Sequence, residues 1–182
     1  MTGTSTRNTI ILSAERLFIE RGRSATLEDI AAAAKVSKGG LLYHFSTKDS
    51  LRAAVCTEIV GRLWRAVGEL VDETDTRPGA LLRAYVRSLT GDSAEAARIF
   101  VPSSLPQLFS EAAAAQAVIR QDSEVWRRAF ADDGIERGRS LVIRHSAEGA
   151  AAAAAEGYID SVELQLIREE LLSMIDPVHC HP

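Results

Sequence analysis

The chain has 182 residues, 46% of them hydrophobic and 25% charged, which is the balance of a chain that folds around a core and excludes a disordered polymer. No run of about 18 apolar residues occurs, so no helical membrane span is expected, and two cysteines, Cys56 and Cys180, exclude a disulfide framework. The net charge of −4 is unevenly spread: residues 1–52 hold eight basic side chains against five acidic (+3), including all three lysines, and the remainder holds thirteen against twenty (−7).

Ile10, Ile11, Ala14, Leu17 and Phe18 recur at helical spacing, so a helix is predicted over 8–21, closed by Gly22. Thr26 opens a second short helix as its N-cap, with Asp29 reaching back in a capping box and Leu27, Ile30 and Ala31 facing inward. The break falls at Ala34-Lys35-Val36, and Ser37 caps a third helix from Lys38 to His44. Thr47 caps a long fourth helix. Its Leu51, Val55, Ile59, Leu63, Val67 and Val71 repeat every four residues, which leaves Arg52, Glu58, Arg62 and Glu69 outside.

Thr74-Asp75-Thr76-Arg77-Pro78-Gly79 is a linker. Beyond it, helices are predicted over 79–90, 93–101, 107–132, 136–156 and 160–175. Pro102 and Pro106 fence a joint, and Asp132-Asp133-Gly134 makes a turn. The pattern is all-α, with about nine helices. It divides into a three-helix module over residues 1–50 and a helical body over 51–182, joined through the long fourth helix.

The second and third helices are short and joined by a tight turn, and the third carries glycine, lysine, tyrosine and histidine. A major groove admits one helix of this size, and the preceding helix crosses the backbone. Gly39 and Gly40 cost up to about 1 kcal/mol each against alanine inside a helix. That cost makes sense where the helix must approach another surface closely.

Thr26-Leu27-Glu28-Asp29-Ile30-Ala31, then Val36-Ser37-Lys38-Gly39-Gly40-Leu41-Leu42-Tyr43-His44-Phe45, then Lys48 and Leu51, resemble the TetR family signature without a gap. The resemblance covers roughly the first 65 residues and implies a sequence-specific DNA-binding transcription regulator with a helix-turn-helix. It implies that Thr26 meets phosphate, and that Lys38, Gly39 and Gly40, after Ser37, lead the recognition helix onto the bases. It implies too that Tyr43, His44 and Lys48 bond phosphate. Phosphate contacts of this kind position the helix and base contacts specify sequence. Two departures stand out: Leu42 occupies a position often aromatic in the family, and Gly40 one that often bears a hydroxyl. Taken singly, Tyr43 and His44 are as readily core or surface residues, and Phe45 is read as core under the fourth helix.

For the body the resemblance implies a small-molecule effector site and a dimer interface from the last two helices, so that the protein is a homodimeric repressor, released from a palindromic DNA operator by its ligand. Independently, Ala147 and the alanines 150–155 allow close helix approach, and Val162, Leu164, Leu166, Ile167, Leu171, Leu172 and Ile175 exceed one core-facing stripe. Ala147, Ala151, Ala154, Leu164, Ile167 and Leu171 are the candidate dimer residues, the alternative being that they complete the monomer core. Trp64, Tyr85, Phe100, Phe109, Trp126 and Phe130 are the candidate ligand-site aromatics, though buried aromatics more often serve plain packing.

An enzyme is the rival class. None of the four histidines, His44, His145, His179 and His181, has metalloprotease spacing or a nucleophile elbow beside it. Asp132-Asp133 reads as a turn, and Ser37-Lys38-Gly39-Gly40 lacks the strand and spacing of a phosphate loop. His179-Cys180-His181 has metal-ligand types but reads as a frayed tail, and Cys56 reads as a small buried residue rather than a redox sensor. No enzyme activity, cofactor or metal is expected. A structural helical adaptor without DNA binding is a third possibility. The polar start, Met1 to Arg7, lacks the apolar core of a secretory signal, and a cytoplasmic protein is expected.

Overall fold

A computed structural model describes residues 5–91 and 109–176. Among them the chain forms eight α-helices and one 3-10 turn, with no strand: α1 (Thr6–Arg21), the turn Gly22–Ser24, α2 (Leu27–Ala33), α3 (Lys38–His44), α4 (Lys48–Leu70), α5 (Ala80–Thr90), α6 (Ala113–Asp132), α7 (Arg137–Ala155) and α8 (Ser161–Ile175). The all-α expectation is met. The helix expected over 93–101, its flanking prolines, Phe100 and the His179-Cys180-His181 tail lie outside the described residues. No helix among the described residues is long and apolar enough to cross a membrane.

Two compact units form, Met1–Gly61 with Val101–Asp122, and Arg62–Phe100 with Ser123–Pro182. In the first, the buried stripe of α1 (Ile10, Ile11, Ala14, Leu17, Phe18) packs with Ile30 and Ala31 of α2, Leu41 and Phe45 from α3, and Leu51, Val55, Cys56 and Ile59 from α4. Phe109, Ala112 and Ala115 complete this core. The long helix expected over 107–132 starts only at Ala113. Ahead of it a separate turn is closed by the Ala112 N–H on the Phe109 carbonyl at 3.1 Å. Arg52, Glu58 and Arg62, expected outside on α4, are half-buried, because long side chains lay their stems along the core while their charged ends reach out.

The second unit packs α5, α7 and α8 against one another, with Val67 of α4 and Trp126 and Phe130 of α6 in the same core. Its linker is tightly held. Arg83 is only 2% exposed, and its guanidinium meets the Asp75 carboxylate at 2.8 Å, Asp176 Oδ1 at 2.9 Å, and the carbonyls of Pro78 (3.0 Å) and Arg77 (3.2 Å). A buried guanidinium persists only when paired and hydrogen-bonded in this way. Asp133, in the expected turn, accepts from the N–H groups of Leu81 and Leu82 at 2.9 Å each, capping α5 from across the unit. Gly79, at φ +88, precedes that helix and leaves no room for a side chain.

Candidate nucleic-acid interface

The N-terminal module is set by its caps. Thr26 Oγ1 accepts from the Asp29 N–H at 3.1 Å while the Asp29 carboxylate accepts from the Thr26 N–H at 3.0 Å, the reciprocal box expected from the sequence. Ser37 Oγ accepts from the Gly40 N–H at 3.0 Å and starts α3. Thr47 Oγ1 accepts from the Ser50 N–H at 3.0 Å and starts α4.

Between α2 and α3 the chain turns through Lys35, at φ +56 the one non-glycine left-handed residue among the described residues. The Val36 N–H reaches the Ala31 carbonyl at 3.0 Å and the Lys35 N–H reaches Ala32 at 3.1 Å, the Schellman pattern that usually carries glycine. The end of α7 makes the same pattern with a real glycine, Gly157 at φ +77. No turn residue in the sequence announced the first of these.

Helix α3 buries only Leu41, and Phe45 just beyond it is core, as expected. Its other face is open. Ser37, Lys38 and Gly39 are exposed, Gly40 and His44 are half-buried, and Tyr43 is 87% exposed, touching the His44 ring edge-on at 5.3 Å between centroids. Tyr43 is therefore not a core aromatic. The fold does not demand glycine at 39, where a Cβ would meet only Ser37 Oγ at 3.9 Å; at 40 a Cβ would crowd the same capping oxygen at 3.3 Å.

The cations of the site are less free than the sequence suggests. Lys38, the long donor at the front of α3, is ion-paired with Glu28 of α2. Lys48 Nζ donates to the Arg23 carbonyl at 3.0 Å, tying α4 to the turn after α1, and burial pulls its ammonium below the usual lysine range, with Arg52 adding to the effect. The Thr26 hydroxyl hydrogen is donated to Asp29 at 2.7 Å. Arg21 pairs with Asp29 at 3.4 Å, Arg23 with Glu111, and the Arg7 guanidinium stacks 5.0 Å from the Phe45 ring centre.

The same segment has counterparts among known proteins. The profile of bacterial regulatory proteins, tetR family, matches residues 10–55, from α1 into α4. The match covers the N-terminal helices only, so it is this segment that resembles the tetR family. The transcriptional repressor DhaR of a Mycobacterium species is 29% identical over 90 residues, which is 49% of this chain and 46% of DhaR. A helix-turn-helix-type transcriptional repressor of Mycobacterium tuberculosis is 38% identical over 79 residues, 40% of this chain and 42% of the relative. The matched stretch thus spans less than half the length of either curated relative. A solved transcriptional regulator from a Rhodococcus species shares the fold, with a TM-score of 0.74 at 19% identity, covering 94% of this chain and 96% of its own.

The second unit gathers four of the six candidate aromatics. Trp64 stacks on Trp126 with centroids 3.6 Å apart, and Tyr85 meets Trp126 and Phe130 edge-on at 5.1 and 5.2 Å. The Arg144 guanidinium lies 4.2 Å from the Phe130 ring centre, and Tyr85 Oη donates to Glu148 Oε1 at 2.7 Å. Trp126 Nε1 and Ser88 Oγ are buried without a hydrogen-bond partner. Phe109 does not join them: it belongs to the core of the first unit, because the chain turns at Ala112 before α6 begins.

Of the candidate dimer residues, Ala147, Ala151 and Leu171 are buried inside their own unit, and Ala154, Leu164 and Ile167 are half-buried. The exposed apolar side chains of α7 and α8 are instead Leu141, Val142, Val162 and Leu166. Small and branched residues suit either kind of packing, so spacing alone does not separate the two.

Proposed function

We propose that this protein is a sequence-specific DNA-binding transcription regulator that works as a homodimer, with residues 1–50 as reader and 51–182 as regulatory and dimerising body. The observation that carries the proposal is the open face of α3: an exposed serine, lysine, glycine and tyrosine on a seven-residue helix that buries one leucine. Tyr43 and Ser37 supply phosphate donors along that face, and the glycines let the backbone approach base edges. A mobility-shift assay with the region upstream of its own gene, at stated salt, tests it. Wild type binds there more tightly than to random duplex, and Tyr43→Phe weakens binding to every sequence alike, since a phosphate contact carries no sequence information. Equal affinity of the wild type for both duplexes would end the proposal.

One short recognition helix covers few base pairs, which favours a two-fold dimer on half-sites about one turn apart. Val142, Val162 and Leu166 are the apolar surface available on α7 and α8. Leu166→Glu is expected to sediment as a monomer where wild type sediments as a dimer. A wild-type monomer at micromolar concentration contradicts this.

Repression relieved by a small molecule is the form of regulation proposed, and the matched Mycobacterium proteins are themselves named repressors. The cluster of Trp64, Tyr85, Trp126 and Phe130, with the unpartnered Trp126 Nε1 within it, suits an apolar or aromatic effector bearing one acceptor. A thermal-shift screen of such compounds, followed by release of DNA, tests the idea; compounds that neither stabilise nor release remove it.

A further inference from the structure

The lysine that leads the recognition helix holds a carboxylate beside it. Lys38 Nζ donates to Glu28 Oε1 across the turn between α2 and α3, and both side chains stay more than half open, at 56% and 61%. The next acid, Asp29, is explained by the cap of α2 and by Arg21. Glu28 takes no part in that box. Lys38 holds its carboxyl below the usual glutamate range, so it is charged at neutral pH. Exposed ion pairs contribute little to stability, so the fold gives weak grounds for this one. On a surface that meets a polyanion, a lone carboxylate is a cost wherever it finds only phosphate and base acceptors.

A base pair that sets an amino donor beside acceptors removes that cost, and a G·C pair fits best. The major-groove edge of a G·C pair presents guanine O6 and N7 as acceptors and cytosine N4 as donor. O6 and N4 are themselves one hydrogen bond apart, about 2.9 Å, which is also the spacing of an ammonium and a carboxylate in contact. We propose that the Lys38–Glu28 couple reads one G·C base pair in each half-site as a unit. Lys38 donates to guanine, Glu28 accepts from cytosine N4, and Glu28 becomes a specificity-determining residue. An A·T pair also offers an amino donor, adenine N6, but only guanine gives Lys38 two adjacent acceptors, O6 and N7. Where no amino group lies opposite Glu28 the carboxylate faces acceptors and repels, which disfavours those sites. This rests on the DNA-binding reading above.

The test is selection from a random duplex library with wild type, Glu28→Ala and Lys38→Ala, each checked for folding by thermal melting. Both side chains are exposed, and both variants are expected to melt close to wild type. Wild type enriches a half-site containing one fixed G·C pair. Both variants lose the preference at that same pair, by about tenfold, and keep the rest of the motif. Glu28→Ala also binds random duplex more tightly, because Lys38 is freed for phosphate, and its log-affinity against log-salt slope steepens by about one. If Glu28→Ala enriches the unchanged motif, or the two variants lose different positions, the couple is not a reading unit and the inference is overturned. If wild type enriches no motif, sequence reading itself fails and takes the inference with it; that outcome is distinct from the other two.

Discussion

Replacing Gly39 by alanine separates what the fold needs from what the interface needs. Gly39 has ordinary helical backbone, and its new Cβ meets nothing nearer than Ser37 Oγ at 3.9 Å, an unstrained contact. Alanine inside a helix gains up to about 1 kcal/mol over glycine. For a chain of this length that raises the melting temperature by about 2–4 °C. The same methyl stands on the exposed face of α3 and holds the backbone off the groove floor, where each good base contact contributes about 1–3 kcal/mol of discrimination. Affinity for the operator therefore falls by about five- to 150-fold, while phosphate-driven binding to random duplex changes less. Calorimetric melting and a salt-matched titration of both duplexes measure the two quantities on one sample. A variant that melts higher and binds its operator unchanged refutes the claim that the glycine serves close approach. One that melts lower refutes the reading of the local geometry.

Gly79→Ala is expected to act oppositely, losing about 2–4 kcal/mol in denaturant titration, because its Cβ would sit 2.6 Å from Ile175 Cγ2 at a left-handed φ of +88. The Asp75 carboxyl is held far below the usual aspartate range by its hydrogen bond from Arg77, and further by Arg83. A depressed carboxyl stabilises the fold above its unfolded pKa, about 3.9, and that contribution is lost as pH falls below it. The stability difference between wild type and Asp75→Asn should thus be largest near neutrality and shrink below about pH 4; a pH-independent difference contradicts the pairing. Burial pushes the Cys56 thiol up to about 11, with Asp122 adding to it. With Cys180 replaced by serine, the native protein should resist a thiol reagent at pH 8 and react only when unfolded.

The helix starts of the reading module were legible because capping is local chemistry: Thr26, Ser37 and Thr47 each satisfy an orphan N–H three residues on. The four-residue stripe of α4 was legible because one face had to be buried. What depends on partners distant in sequence was not. Nothing near Arg83 marks it for burial, since its two carboxylates come from Asp75 and from Asp176, 93 residues away. Lys38 was expected on the bases and Lys48 on phosphate, and their bonds to Glu28 and to the Arg23 carbonyl come from chain reversals that spacing does not reveal. The break at Ala34-Lys35-Val36 was legible, but not that Lys35 makes it left-handed, because that conformation is usually announced by glycine.

The clasp around Arg83 also sets an order of events during synthesis. Its second carboxylate, Asp176, is made 93 residues after the arginine it must neutralise, so the second unit cannot close its core while the ribosome is still building α8. Among the described residues the first unit ends at Asp122. The N-terminal module can therefore be complete while the rest is still emerging, and a nascent chain halted before Asp176 carries it attached to an unsealed body whose Arg83 has Asp75 as its one carboxylate partner.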